Sequence, residues 1–115
     1  MRSNTELINA IKNSVKGLVI VWRGEVAFRQ YVVLSLLLIP LALWLGGNNI
    51  ERVLLIASVL LVLLMELVNT AIEAVVDRIS TEQHELSGAA KDIGSAAVFL
   101  SIAMFVITWL LILLG

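Results

Sequence analysis

The sequence predicts an all-α membrane protein: an N-terminal amphipathic surface helix, then three transmembrane helices gathered in a bundle. Three observations lead there. Hydrophobic residues are 60% of the 115 and charged residues only 15%, against about half and about a quarter in soluble domains. A water-soluble core of this size cannot hide so much apolar surface. The apolar residues fall in three segments, each near the ~20 residues that a helix needs to cross hydrocarbon. Lysine and arginine then gather on one side of those segments. The length suits a single domain over 1–115. The net charge of −1 leaves no case for nucleic acid, and the chain has no cysteine, which excludes disulfides and thiolate metal sites.

Residues 1–25 read as a helix lying on the membrane. Leu7, Ile8, Ile11, Val15, Leu18, Val19 and Trp22 recur at helical spacing, while Asn9, Lys12, Asn13 and Lys16 fall largely on the other side. An apolar stripe opposite basic residues is the pattern of an interfacial helix. The stretch lacks the apolar core and small-residue cleavage site of a signal peptide.

The first span is expected over about 28–47. Its apolar part, "YVVLSLLLIPLALWL" (31–45), is short. It reaches spanning length by extending back through Phe28 or forward into the next loop, and Pro40 is expected to kink it. "GGNNIER" (46–52) then reads as a tight turn. The second span, about 50–76, begins apolar at Val53 and continues into an acidic stretch. "DRISTEQHELSGAAKD" (77–92) is a longer polar connection, in which Ser87-Gly88 suggests a break before the third span. That span, about 90–114, carries no charge from Ile93 to Leu114.

Orientation follows from the basic residues. Arg2, Lys12, Lys16, Arg23 and Arg29 precede the first span, and Arg78 and Lys91 lie in the second connection. The first connection has only Arg52, and the C-terminus has none. The positive-inside rule puts the N-terminus and the 77–92 connection in the cytoplasm and the C-terminus in the periplasm. Trp22 then sits at the inner interface, with Trp44 and Trp109 toward the outer one.

The second span holds the chemistry. Counted from Glu66 at 100° per residue, Asn69 falls at about −60°, Glu73 at about −20° and Asp77 at about +20°. One polar stripe therefore runs roughly 16 Å from within the membrane to its cytoplasmic surface. It cannot face lipid, where an ionisable group costs ~3 kcal/mol even on the lenient insertion scale. Three roles compete for it. Carboxylates suit Mg²⁺, which takes one or two of them together with phosphate oxygens. A buried carboxylate can act as a general base. Buried polar groups can also join helices, with small residues such as Ala71 and Ala74 allowing close approach. Four polar groups on one stripe favour function over glue, since intramembrane acids are functional by default. Lys91 lies on the same side, suited to a phosphate as a point charge or to snorkelling toward head groups. Glu25 matters only if the fold carries it to Glu73. No Walker loop, glycine-rich kinase loop or D-F-G is present. A small ion or proton carrier and a purely structural oligomer remain open at this point.

"ELVNTAIEAVVD" (66–77) resembles the signature of the prokaryotic diacylglycerol kinases, E-x-[LIVM]-N-[ST]-[SA]-[LIV]-E-x-x-[VTI]-D, at every defined position. "HELSGAAKDIGSAAV" (84–98) and "EVAFRQ" (25–30) also look like that family, and the resemblance covers nearly the whole chain. It implies an inner-membrane lipid kinase that moves the γ-phosphoryl of MgATP to diacylglycerol, giving phosphatidic acid for phospholipid recycling. It also implies a homotrimer with composite sites between subunits.

By the same resemblance Glu66 is the general base, with Asn69 beside it, and Glu25 and Glu73 hold the Mg²⁺ on ATP. The nucleotide set is Asn13, Lys16, Glu25, Glu73, Asp77, Glu82, Gln83, His84, Lys91 and Asp92. The lipid set is Trp22, Arg29, Trp44, Arg52, Glu66, Ser95 and Trp109. Certain members carry an aromatic residue where this chain has Asn13 and Gln83. Relatives in other bacteria phosphorylate undecaprenol, but "AFRQ" and "SGAAKDIGS" look more like the diacylglycerol branch.

A reporter fused after Gly115 is expected to be active in the periplasm. Activity in the cytoplasm would defeat the three-span topology.

Overall fold

The computed structural model describes residues 3–79 and 84–115. It contains four helices: α1 (Asn4–Gly24), α2 (Val26–Leu45), α3 (Asn49–Ile79) and α4 (Glu85–Leu114). The last three are each long and apolar enough to cross a membrane. They pack around α3, which meets α4 most extensively and α2 next; α1 touches α2 only lightly.

Helix α1 begins with a capping box. Ser3 Oγ accepts from the Glu6 N–H at 3.3 Å and Ser3 N–H donates to Glu6 Oε2 at 3.2 Å, so two N-terminal donors are satisfied reciprocally. Val21 is the one buried residue of this helix. Leu7, Ile8, Ile11, Val15, Leu18, Val19 and Trp22 are all exposed. Among the described residues the apolar stripe stays largely open, as an interfacial helix requires.

A single extended residue, Glu25 (φ −122°, ψ 110°), ends α1 and opens α2. Its N–H donates to Val21 O at 2.9 Å, closing the last turn of α1. Arg29 locks the corner: its Nη1 donates to Trp22 O (2.9 Å) and Arg23 O (3.2 Å), two carbonyls that a helix end leaves without intrahelical partners.

Phe28, Ser35 and Ala42 are the buried residues of α2. Their spacing of seven draws one narrow seam along the helix. The helix continues unbroken through Pro40. The turn to α3 is tight. Gly46 N–H donates to Ala42 O at 3.0 Å, Asn48 Oδ1 accepts from Glu51 N–H at 2.9 Å in the manner of an N-cap, and Glu51 Oε1 accepts from Gly47 N–H at 2.8 Å. Arg52 folds back over the turn, with Nε on Leu43 O (3.0 Å) and Nη1 on Asn49 Oδ1 (2.9 Å). A side chain at Gly46 would meet Arg52 Cγ at 2.5 Å, so close approach demands glycine there.

The 31 residues of α3 make a rod of about 46 Å. Its buried face reads Leu55, Ser58, Val59, Val62, Glu66 and Asn69, at helical spacing. The apolar core lies at the α2–α3 turn end of the bundle, where Ala42, Leu55, Val59 and Trp109 meet, with Phe105 tilted 49° against the Trp109 ring at 5.5 Å. Each buried serine donates to a carbonyl of its own helix: Ser35 to Val32 O, Ser58 to Leu55 O and Ser101 to Val98 O, at 2.6–2.7 Å.

Two sequence expectations change. Helix α4 starts at Glu85 and passes through Ser87-Gly88 without a break. A serine and a glycine weaken a helix only modestly, and the apolar run that follows carries it. Trp109, expected at the outer interface, is buried at 8% exposure, whereas Trp44 is 79% exposed. The indole N–H of Trp109 donates to Ser58 Oγ (3.1 Å) and Leu55 O (3.3 Å). A buried indole needs an acceptor, and α3 supplies two.

Trp109→Phe removes that donor while keeping most of the ring's packing. It is expected to cost about 1 kcal/mol of unfolding free energy, and Trp109→Ala about 3–5 kcal/mol. Equilibrium unfolding in detergent measures both, and equal losses would show that the hydrogen bond contributes more than the packing.

Candidate functional site

Glu66 and Asn69 are buried, at 8% and 7% exposure, on the face of α3 that its neighbours cover. No residue of the apolar core needs a carboxylate there. Glu25 and Glu73 are the charged groups that Glu66 feels. The hinge explains Glu25. As N-cap of α2 its side chain would ordinarily accept from a backbone N–H of the first turn, yet it makes no such bond. The carboxylate instead lies within electrostatic reach of Glu66 on α3. Sequence spacing could not connect residues 25 and 66; the single extended residue between two helices does.

Glu73 lies seven residues, about 10 Å of helix rise, beyond Glu66. Asn69 stands between them and joins one side: its Nδ2 donates to Glu73 Oε1 at 3.2 Å. The amide's Oδ1 is buried without a partner among the described residues, as is Thr70 Oγ1 beside it. Farther along α3, Asp77 Oδ1 receives Lys91 Nζ from α4 at 2.6 Å, and Glu73 also lies within electrostatic reach of that ammonium. Lys91 thus closes the acidic row at its α4 side. Its pair with Asp77 is exposed, so it orients the lysine more than it stabilises the fold.

His84 is the N-cap of α4, its Nδ1 accepting from Leu86 N–H at 3.1 Å. The histidine therefore sits at the positive end of the α4 dipole, a position suited to anions. Glu82 and Gln83 lie outside the described residues. Asn13 and Lys16 are exposed on α1, and Asp92 and Ser95 are exposed on α4. Trp22 is exposed near the end of α1, and Arg29 beside it is engaged by the α1 carbonyls. Trp44, Arg52 and Trp109 form no part of the acidic row. Arg52 stands fourteen residues from Glu66 along α3, about 21 Å away, and its guanidinium holds the α2–α3 turn.

The donor set suits a hard divalent cation. Carboxylate oxygens are the ligands such an ion prefers, and Mg²⁺ takes one or two of them while keeping places for phosphate and water. Among the described residues no three acids close round an ion by themselves, so the oxygens of a ligand would complete the shell.

One member of this neighbourhood escaped the sequence reading. Gly94 of α4 is buried against Asn69, and a Cβ built on it would run into Asn69 Oδ1. The signal was there as a small residue in an apolar span, the mark of close helix approach in membranes, but nothing local named its partner.

Comparison with known proteins bears on this arrangement. The family model of prokaryotic diacylglycerol kinase matches residues 12–113. The chain is 55% identical over 109 residues to a diacylglycerol kinase of Escherichia coli (strain K12), covering 95% of this chain and 89% of that one. It is 52% identical over 105 residues to that of Haemophilus influenzae, with 91% and 89% covered, and 50% identical over 109 residues to that of Pseudomonas aeruginosa, with 95% and 89% covered.

Glu66→Gln is expected to unfold at or above the wild-type temperature, because a neutral amide is cheaper to bury than a carboxylate. A loss of several degrees in a thermal melt would make the carboxylate a structural anchor.

Proposed function

The chain belongs to the prokaryotic diacylglycerol kinase family, and from that premise we propose that it transfers the γ-phosphoryl of MgATP to the free hydroxyl of diacylglycerol, giving phosphatidic acid and ADP. The observation that carries the reading is Glu66, buried on α3 of an otherwise apolar bundle, with Glu25 and Glu73 within electrostatic reach of it. Phosphoryl transfer asks mainly for positioning and charge neutralisation, so a few acids and a bound cation suffice.

Glu66, deepest in the acidic row, takes the proton of the lipid hydroxyl as its oxygen attacks the γ-phosphorus and the bond to the ADP oxygen breaks. Glu25 and Glu73 are the carboxylates for Mg²⁺, which when bound neutralises charge on the phosphates. Asn69 fixes one oxygen of Glu73 through its amide hydrogen bond. Lys91, held by Asp77, offers a point charge to a phosphate, and Asp92 and His84 frame the nucleotide's approach with Asn13, Lys16, Glu82 and Gln83. The lipid lies along α1 and α2, near Trp22 and Arg29, with the exposed Trp44 toward its outer side. Ser95 faces outward on α4 at the level of the acidic row, and Trp109, buried against α3, and Arg52, bound to the α2–α3 turn, are left to the scaffold.

The whole chain acts as a single catalytic domain in the bacterial inner membrane, with its N-terminus cytoplasmic and C-terminus periplasmic. It works as a homotrimer whose sites are shared between subunits, and two features support that. One chain leaves Asn69 Oδ1 and Thr70 Oγ1 buried without partners among the described residues. Among the described residues its acids also do not enclose a cation.

The test is radiolabelled-ATP turnover on purified protein with diacylglycerol and undecaprenol side by side. Diacylglycerol is expected to be the better acceptor; labelling of undecaprenol alone would overturn the assignment. At saturating MgATP and lipid, Glu66→Gln is expected to lower turnover on the order of 10²- to 10⁴-fold, the range for loss of a general base. Turnover within a few-fold of wild type would remove Glu66 from that role. Glu73→Gln is expected to raise the Mg²⁺ requirement while the protein still assembles, and an unchanged requirement would pass the metal to another acid.

A further inference from the structure

We propose that Gly94 is a positioning residue for phosphoryl transfer: the space left by its missing side chain seats the Asn69 carboxamide, and through that amide α4 holds the Glu73 carboxylate in place. The inference rests on the reading of Glu73 as a carboxylate for the metal-nucleotide.

The geometry is one-sided. Gly94 is buried on α4. A Cβ there would strike Asn69 Oδ1 and lie 3.3 Å from Asn69 Cγ, whereas Ile72 Cδ1, at 3.7 Å, is an ordinary contact. Only Asn69 would have to move. Asn69 has little freedom to do so without consequence, because its Nδ2 is on Glu73 Oε1 at 3.2 Å. That length is already at the long end for an N–H···O bond. A displacement of a few tenths of an ångström ends it, and helical rotamers offer few other seats.

The amide's orientation is also determined. Turned over, it would set Oδ1 against the Glu73 carboxylate, an acceptor facing an acceptor. With the NH₂ on Glu73, the carbonyl oxygen must point to the α3–α4 seam. There it is buried and makes no hydrogen bond among the described residues. A buried acceptor left without a partner costs stability. The structure accepts that cost at a position where the other end of the same amide touches the reaction's carboxylate. Glycine at 94 therefore does more than bring two helices close. It leaves Asn69 one pose, and that pose presents Glu73.

The experiment uses full-length protein in lipid-detergent micelles: wild type, Gly94→Ala, Asn69→Ala, the double variant and Glu73→Gln. Equilibrium binding of a Mg²⁺-loaded, non-hydrolysable ATP analogue is measured beside the KM values for MgATP and for diacylglycerol. Gly94→Ala is expected to weaken analogue binding about tenfold, a size typical of coupled neighbours. The KM for MgATP should rise and that for diacylglycerol hold, a split that general loosening of the bundle would not produce. In the Asn69→Ala background the glycine change is expected to add less than about twofold, since the group it displaces is gone. Full additivity, or equal loss toward both substrates, overturns the proposal while the effect of Glu73→Gln leaves the metal reading standing. If Glu73→Gln binds the analogue as wild type does, the metal reading fails and the proposal fails with it. Should Gly94→Ala alone not fold, the double variant decides. Folding restored with the affinity of Asn69→Ala supports the proposal, and failure to fold or a further loss of affinity overturns it.

Discussion

A carboxylate and a carboxamide in a helix whose solvent is hydrocarbon must be covered by protein. That constraint, set by Glu66 and Asn69, organises the rest of the molecule. It makes α3 the central rod, because the stripe that carries them lies on one face and needs neighbours along it. Helix α4 supplies the longest cover and α2 the next. The covering is close enough at Gly94 that no side chain fits. The corner at Glu25 follows from the same need. Had α1 run straight into α2, the cap position would not exist, and no carboxylate from the N-terminal half would stand near Glu66.

The polar groups of this bundle fall into two populations. Those at the far end are satisfied within the fold. Ser35, Ser58 and Ser101 donate to carbonyls of their own helices, and Trp109 reaches across to α3 with its indole N–H. Arg52 is engaged by a carbonyl that the end of α2 leaves free. The population around Glu66 is different. Asn69 is half-satisfied, Thr70 Oγ1 has no partner among the described residues, and three acids share one neighbourhood. Satisfied polar groups rigidify a core; a site must leave groups free for what it binds. The division thus runs along the bundle, with the packed apolar core under the α2–α3 turn and the acidic row near the α1–α2 hinge.

This division also accounts for how little cover one chain gives the end that holds the acidic row. Helix α1 lies lightly on α2 with its apolar face open, and α3 and α4 are joined there only by an exposed salt bridge among the described residues. On the proposed function, such an end would admit a lipid from the side and a nucleotide from the water. A bundle sealed there as tightly as it is sealed around Trp109 would admit neither.

Much of this was written in the chain. Composition alone required the bilayer as solvent, and hydrophobic periodicity separated an interfacial helix from three spans. The 3.6-residue repeat placed Glu66, Asn69, Glu73 and Asp77 on one stripe, since residues on the same helix are related by a rotation that needs no tertiary information. The capping box of Ser3 with Glu6 is equally local, though it came to light only in the structure. Tertiary structure alone decided what depends on two elements meeting. It put Glu25 within electrostatic reach of Glu66, buried Trp109 where an interfacial tryptophan was expected, carried α4 through Ser87-Gly88, and set Gly94 against Asn69. In each case the deciding quantity was the distance between groups far apart in sequence, which periodicity cannot supply because it describes one helix at a time.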